Sequence, residues 1–114
     1  MFRAVATPVF ARWLGEQPEE ITAEVAAAVS LLEEFGPRLG RPHADTLKGS
    51  KFSHLKELRV KTAAAEIRIA FAFDPRRDAI LLVAGDKRGV SEKRFYRKLI
   101  AKADAIYTEY LKSR

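Results

Sequence analysis

Residues 55–73 read LKELRVKTAAAEIRIAFAF, two runs of alternating apolar and polar residues on either side of Thr62-Ala63-Ala64-Ala65. In the first run Leu58 and Val60 alternate with Glu57, Arg59 and Lys61; in the second Ile67, Ile69, Phe71 and Phe73 alternate with Glu66, Arg68, Ala70 and Ala72. A period of two is the mark of a half-buried strand, and so short a link implies an antiparallel hairpin. The apolar sets must share one face, so Leu58 lies opposite Ile69 and Val60 opposite Ile67; a slip of one residue would put one set into water. This register pairs Lys61 with Glu66, which is complementary. It also sets Arg59 opposite Arg68, and like charges facing across a sheet are destabilising.

Two readings of that pair stand at this level. Either an anion occupies the gap between the guanidinium groups, or Glu57 bridges both on a solvated outer face. The residues downstream weigh toward the anion. Ile80 to Ala84 is a near-continuous apolar run of the buried-strand kind, after a turn at Asp74-Pro75-Arg76-Arg77-Asp78. It leads into GDKRGVSEKRFYRK, residues 85–98, with six cations against two carboxylates. Gly85 and Gly89 flank Asp86, Lys87 and Arg88 just before a helix, and backbone N–H groups at a helix start attract anions.

Working outward, Phe2–Ala6 is a strand candidate. Thr7-Pro8 then suits the cap and first position of a short helix through Trp13, ending near Gly15. From Pro18, Ile21, Val25, Val29, Leu32 and Phe35 recur at helical spacing before Gly36-Pro37. Residues 37–53 are rich in Gly, Pro and cations and read as a loop. The final helix is expected from about Ser91 to Leu111, with Phe95, Leu99, Ala103, Ile106, Tyr107 and Tyr110 on its core stripe. The fold class is therefore α+β: a strand and two helices, a three-stranded antiparallel meander, and a C-terminal helix. At 114 residues this fits a single domain over 1–114.

Composition narrows the chemistry. The absence of cysteine rules out disulfides and thiolate metal sites, and two histidines make a histidine-rich metal centre untenable. No cofactor is expected. No secretory signal or membrane-length apolar run is present, which points to a cytoplasmic chain with no membrane role. The net charge of +6 is uneven: residues 1–36 hold two cations against six carboxylates, the remainder 19 against nine. A basic remainder of this kind suggests an anionic partner, most commonly nucleic acid.

The segments TLKGSKFSHLKELRVK, EIRIAFAFDPRR, AILLVAGDK and RFYRKLIAKADAIYTEYL, preceded by TPVFARWL and ITAEVAAAVSLLEEFG, together resemble a HigB-type toxin of the RelE/ParE superfamily over nearly the whole chain. The resemblance implies a RelE-like fold and an endoribonuclease that cleaves messenger RNA on the translating ribosome. It also implies a cognate helix-turn-helix antitoxin that holds the toxin inactive. Some relatives instead inhibit DNA gyrase without cutting RNA, so a non-catalytic ParE-like inhibitor is the alternative, with a plain basic RNA-binding module as a third.

Metal-independent cleavage, by attack of a 2′-hydroxyl on the adjacent phosphate, needs a base, an acid and cations for the charge on phosphorus. Arg59 and Arg68 suit the cation role because a guanidinium fork grips phosphate oxygens and keeps its proton. Lys87, crowded by Arg88 and the arginine pair, is placed as acid or charge stabiliser. His54 is a general-base candidate or a loop histidine, and Glu57 is a base or an orienter of Arg59. Tyr96 either stacks on a base, donates to the phosphate, or lines the edge of the core. Lys48, Lys51, Lys56, Arg88, Arg94 and Arg97 are expected as phosphate contacts that add affinity without reading sequence.

Overall fold

A computed structural model describes residues 1–113. Strand β1 (Arg3–Ala6) is followed by helices α1 (Pro8–Gly15) and α2 (Glu19–Phe35) and a single 3-10 turn at Gly36–Arg38. The chain continues through strands β2 (Ala44–Thr46), β3 (Lys56–Lys61), β4 (Glu66–Phe73) and β5 (Asp78–Asp86), then helix α3 (Glu92–Ser113). The α+β class and the order of helices and meander strands are as expected. One element was not foreseen. Residues 44–46, inside the stretch read as loop, form an edge strand antiparallel to β3, which makes the sheet five-stranded in the order β1-β5-β4-β3-β2. Three residues are too few to display a period of two, so this strand carries no pattern of its own.

The hairpin register is the expected one. Leu58 faces Ile69, Val60 faces Ile67, Lys61 faces Glu66, and Arg59 faces Arg68. Its link needs no glycine because Thr62 closes it, the hydroxyl accepting from the Ala64 and Ala65 N–H groups while its own N–H donates to the Ala65 carbonyl.

The sheet is buried on both faces. Leu58, Val60, Ile67, Ile69, Phe71, Ala79 and Leu81 meet Phe10 of α1 and Ile21, Val25 and Leu32 of α2. Ala70, Ala72, Ile80, Leu82 and Val83 meet Phe95, Leu99, Ala103 and Tyr107 of α3. Two packed faces explain why residues 79–84 show no alternation. A bulge adds to this: Ala70 pairs with Val83 and Phe71 with Leu81, leaving Leu82 as an extra residue that also points under α3. Central β5 pairs with β1 in parallel, from Arg3 opposite Asp78 to Ala6 opposite Leu81.

Capping follows the residues. The Thr7 hydroxyl accepts from the Phe10 N–H at the start of α1, and the Ser91 hydroxyl accepts from the Arg94 N–H at the start of α3. The core stripe of α2 stops one residue short of expectation, since Phe35 is exposed. The chain there turns at Gly36, whose φ is +57°, and a Cβ at that position would overlap the Phe2 ring.

Candidate phosphate site at the mouth of the sheet

Helix α3 covers only part of its face of the sheet. Beyond its first turns the alternating polar side chains of β3 and β4, Glu57, Arg59 and Arg68, come together beneath Tyr96. The same period that sends Leu58 and Ile69 under α2 sends these three to the other side, so their convergence is a consequence of register.

They do not form an open pair of like charges. Glu57 is 4% exposed and stands between the two guanidinium groups. Its Oε2 accepts from Arg59 Nε at 3.1 Å and Nη2 at 3.0 Å, and its Oε1 lies 3.8 Å from Arg68 Nε. The Tyr96 hydroxyl donates to Glu57 Oε1 at 2.7 Å and accepts from Arg68 Nε at 3.2 Å, while Arg68 Nη1 donates to the Ile67 carbonyl. Bridging by Glu57, one of the two readings left open above, is thus realised, but not on a solvated face, because Arg68 is 9% exposed. The repulsion expected from the register is offset by a buried carboxylate, and either arginine removed would leave that carboxylate short of a partner.

The electrostatics follow from these contacts. The hydrogen bonds from Arg59 to Glu57 hold its guanidinium above the ordinary range. Burial, and then donation to Glu57, push the Tyr96 hydroxyl up to about 12, so it stays protonated at any physiological pH. Asp45 accepts from its neighbour's Thr46 N–H and from Arg41, which hold its carboxyl below the usual range. It also lies 3.4 Å from Arg59 Nη2. The signs therefore alternate along one line: Arg41, Asp45, Arg59, Glu57, Arg68.

A cavity of about 370 Å³ opens over this line, with Arg41, Lys48, Glu57, Arg59, Glu92 and Tyr96 among its walls. Arg68 is not among them; together with Arg59 it lines a second hollow of about 500 Å³ on the α2 side. Arg41, Asp45 and Glu92 were missed from sequence. Asp45 and Arg41 sit on or beside the three-residue strand that gave no signal, and only the fold brings Glu92 to the cavity.

The remaining expectations divide. Lys87 reaches the edge of the site but is not simply crowded by cations: its Nζ donates to Glu92 Oε1 at 2.9 Å, and that contact holds the Glu92 carboxyl below its usual range. The glycine-flanked cradle is changed in detail. Gly85 and Asp86 belong to β5, and Gly85 lies beside Phe95, where a Cβ would sit 3.1 Å from the ring. Asp86 accepts from the Arg88 N–H, and Arg88 itself donates to the Ala63 carbonyl, so donors expected to face an anion are spent on the protein.

His54 is not part of the cluster. Its Nε2 lies 2.8 Å from the Tyr107 hydroxyl, and Tyr107 is eleven residues beyond Tyr96 on α3, about 16 Å along the axis. The loop before β3 is tied there by design of the chain: Ser50 and the Lys51 N–H both bond to Asp104, which sets Lys51 and His54 against the middle of α3. Lys56 is half-buried beside His54, and Arg94 and Arg97 lie exposed on the outside of α3. Among the described residues no His, Cys, Asp and Glu side chains are grouped so as to hold a metal ion.

Comparison with known proteins places this arrangement in context. A family model described as phage derived protein Gp49-like (DUF891) matches residues 12–108. The chain is 44% identical over 109 residues to the candidate toxin HigB3 of Mycobacterium tuberculosis, covering 96% of this chain and 93% of that protein. It is 44% identical over 100 residues to the candidate toxin HigB2 of the same organism; there it covers 87% of this chain but 49% of the relative, about half its length. A mutant of the E. coli toxin RelE, solved in the free state, has the same fold with a TM-score of 0.59 at 10% identity, covering 89% of this chain and 95% of that one.

Proposed function

We propose, from the premise that this chain belongs to the Gp49-like family of HigB- and RelE-type toxins, that residues 1–114 act as one toxin domain that cleaves messenger RNA on the ribosome. A helix-turn-helix antitoxin would restrain it, in the cytoplasm where translation proceeds. The observation that carries this reading is Arg59 and Arg68 side by side beneath Tyr96, with Arg59 and Tyr96 in the wall of the cavity.

In the bound state a phosphate takes the Arg59 fork in place of Glu57, since its two non-bridging oxygens, like those of a carboxylate, match the paired N–H donors of a guanidinium. The Glu57 oxygen so released accepts the proton of the 2′-hydroxyl. The 2′-oxygen forms its bond to phosphorus, the bond from phosphorus to the 5′-oxygen breaks, and the products are a 2′,3′-cyclic phosphate and a 5′-hydroxyl. Arg59 and Arg68 offset the added charge on phosphorus, which is commonly the largest catalytic contribution. Tyr96, held protonated, and Lys87 are the groups with a proton to give the departing oxygen, because arginine does not release its own. Lys48 and Arg41 line the approach, and Lys51, Lys56, Arg94 and Arg97 add phosphate contacts farther out.

A second reading, a non-catalytic inhibitor of DNA gyrase, is favoured by one feature: Arg59, Arg68 and Glu57 already satisfy one another. Primer extension on RNA from cells expressing the chain, run beside a supercoiling assay on purified gyrase, separates the two. Discrete new 5′ ends that disappear in Arg59→Gln support cleavage. Intact RNA with inhibited supercoiling overturns it.

A further inference from the structure

Residues 47–55, between β2 and β3, form a loop closed at its base and pinned at its tip. At the base the Leu47 N–H donates to the Leu55 carbonyl, and both side chains are buried in the core under α3. At the tip the Ser50 hydroxyl donates to Asp104 Oδ1, and the Lys51 N–H donates to Asp104 Oδ2 at 3.1 Å. The Ser50 oxygen accepts in turn from the Phe52 N–H at 2.9 Å. Both carboxylate oxygens of Asp104 are thus occupied by the loop. Two cations ride on the tip: Lys48 is in the wall of the cavity over Arg59, and the exposed Lys51 has its ammonium 5.4 Å over the Phe52 ring.

Asp104 is out of place if α3 serves only as a basic face. It is the one carboxylate between Glu92 and Glu109, on a helix that also carries Arg94, Arg97, Lys98 and Lys102. It stands about 12 Å along the axis from Tyr96, and a negative charge there opposes the approach of a polyanion.

We propose that Asp104 is a positioning residue for RNA binding, clasping the tip of the 47–55 loop to α3 so that Lys48 and Lys51 meet phosphates of the strand leading into the cavity. This rests on the ribonuclease reading above. Asp104 touches neither the RNA nor the reacting atoms and acts through the two lysines. A lysine is a point charge on a flexible stem, so where its backbone is held decides which phosphate it reaches. A tip fixed in advance need not be ordered at the moment of binding. The descending limb has its own anchors, since Phe52 packs edge-on against Tyr107 at 4.8 Å and His54 bonds to the Tyr107 hydroxyl. The part that depends on Asp104 is therefore residues 48–51.

The sign of the effect tests the role. Were Asp104 only a charge on a basic face, neutralising it would tighten RNA binding; a clasp gives the opposite result. Affinity is measured on ribosomes programmed with a messenger RNA whose mapped cut site carries a 2′-O-methyl group, and the cleavage rate at saturation with the unmodified messenger. Asp104→Asn cuts the clasp from the helix side, and Ser50→Ala cuts it from the loop side with little change of volume. Each is expected to weaken binding about fivefold, the usual worth of one hydrogen bond, and to leave the saturated rate within about twofold of the parent's. The slope of log Kd against log salt should flatten by about 1 for each lysine released. Ser50→Thr, which keeps the hydroxyl, should restore most of the affinity. In a chain already carrying Lys48→Ala and Lys51→Ala, Asp104→Asn should add no further loss.

Binding as tight as the parent's or tighter in both Asp104→Asn and Ser50→Ala would overturn the inference and leave the ribonuclease reading in place. So would a loss that persists undiminished without the two lysines, or one that appears as a slower saturated rate with affinity intact. A parent chain that neither binds nor cuts the programmed messenger would remove the ribonuclease reading and this inference together.

Discussion

Replacing Arg68 with glutamine tests whether the facing arginines are a strained pair or part of a balanced buried network. Relief of bare repulsion across the sheet would raise stability by a few tenths of a kcal/mol. The geometry reverses that expectation. Glu57 is 4% and Arg68 9% exposed, and breaking a buried ion pair by removing one member costs about 3–5 kcal/mol when nothing else compensates. Here the Arg59 fork remains on Glu57 at 3.0 Å and the Arg68 contact is the longer at 3.8 Å, so the loss should be smaller, about 2 kcal/mol. Glu57→Gln should cost a similar amount, because it leaves Arg59 and Arg68 facing each other with no anion between them. In the double variant the two losses should not add, and a shortfall of about 1 kcal/mol is expected for residues in one network. Urea denaturation of the four proteins reads this as a shift of midpoint, with RNA cleavage measured on the same samples and expected to fall about a hundredfold in Arg68→Gln. An Arg68→Gln protein as stable as the parent, or more so, would refute the reasoning. It would mean that repulsion outweighs the Glu57 contacts.

Tyr96→Phe removes the donor to Glu57 Oε1 and should lose about 1–2 kcal/mol at neutral pH, read from the same denaturation curves. Because folding raises the Tyr96 hydroxyl from 10.0 to about 12, its contribution is fully present below pH 10 and is lost as pH rises toward 12. The parent should therefore fall more steeply than Tyr96→Phe between those values, by about 1 kcal/mol once solvent screening of the half-buried ring is allowed for. Parallel curves would show that the hydroxyl is not held in this network. Gly36→Ala should destabilise by about 1–3 kcal/mol, since the residue would take φ +57° and drive its Cβ into Phe2; unchanged thermal unfolding would mean that the turn and the N-terminal strand are loosely joined.

By itself the sequence determined the register of the central hairpin, because one face of each strand had to be dry and a one-residue slip would have wetted it. The pairing of Leu58 with Ile69 and of Arg59 with Arg68 follows from that requirement alone. The position of α3 and the buried character of residues 79–84 were legible for the same reason, since apolar spacing reports burial directly. What stood over the arginines was not legible. Residues 57 and 96 are separated by most of the meander, and no local pattern tells that a helix start will lower a tyrosine onto a carboxylate between two guanidinium groups. His54 looked close to the cluster because it is close in the chain, yet bonds from the preceding loop to Asp104 and from His54 to Tyr107 hold it against the middle of α3. Strand β2 and its Asp45 were hidden because three residues at an edge are too few to show an alternation. Periodicity records which side of an element meets the core. Which charged groups then meet one another is decided by long-range packing, where the alternatives differ by a few kcal/mol that no short window of sequence contains.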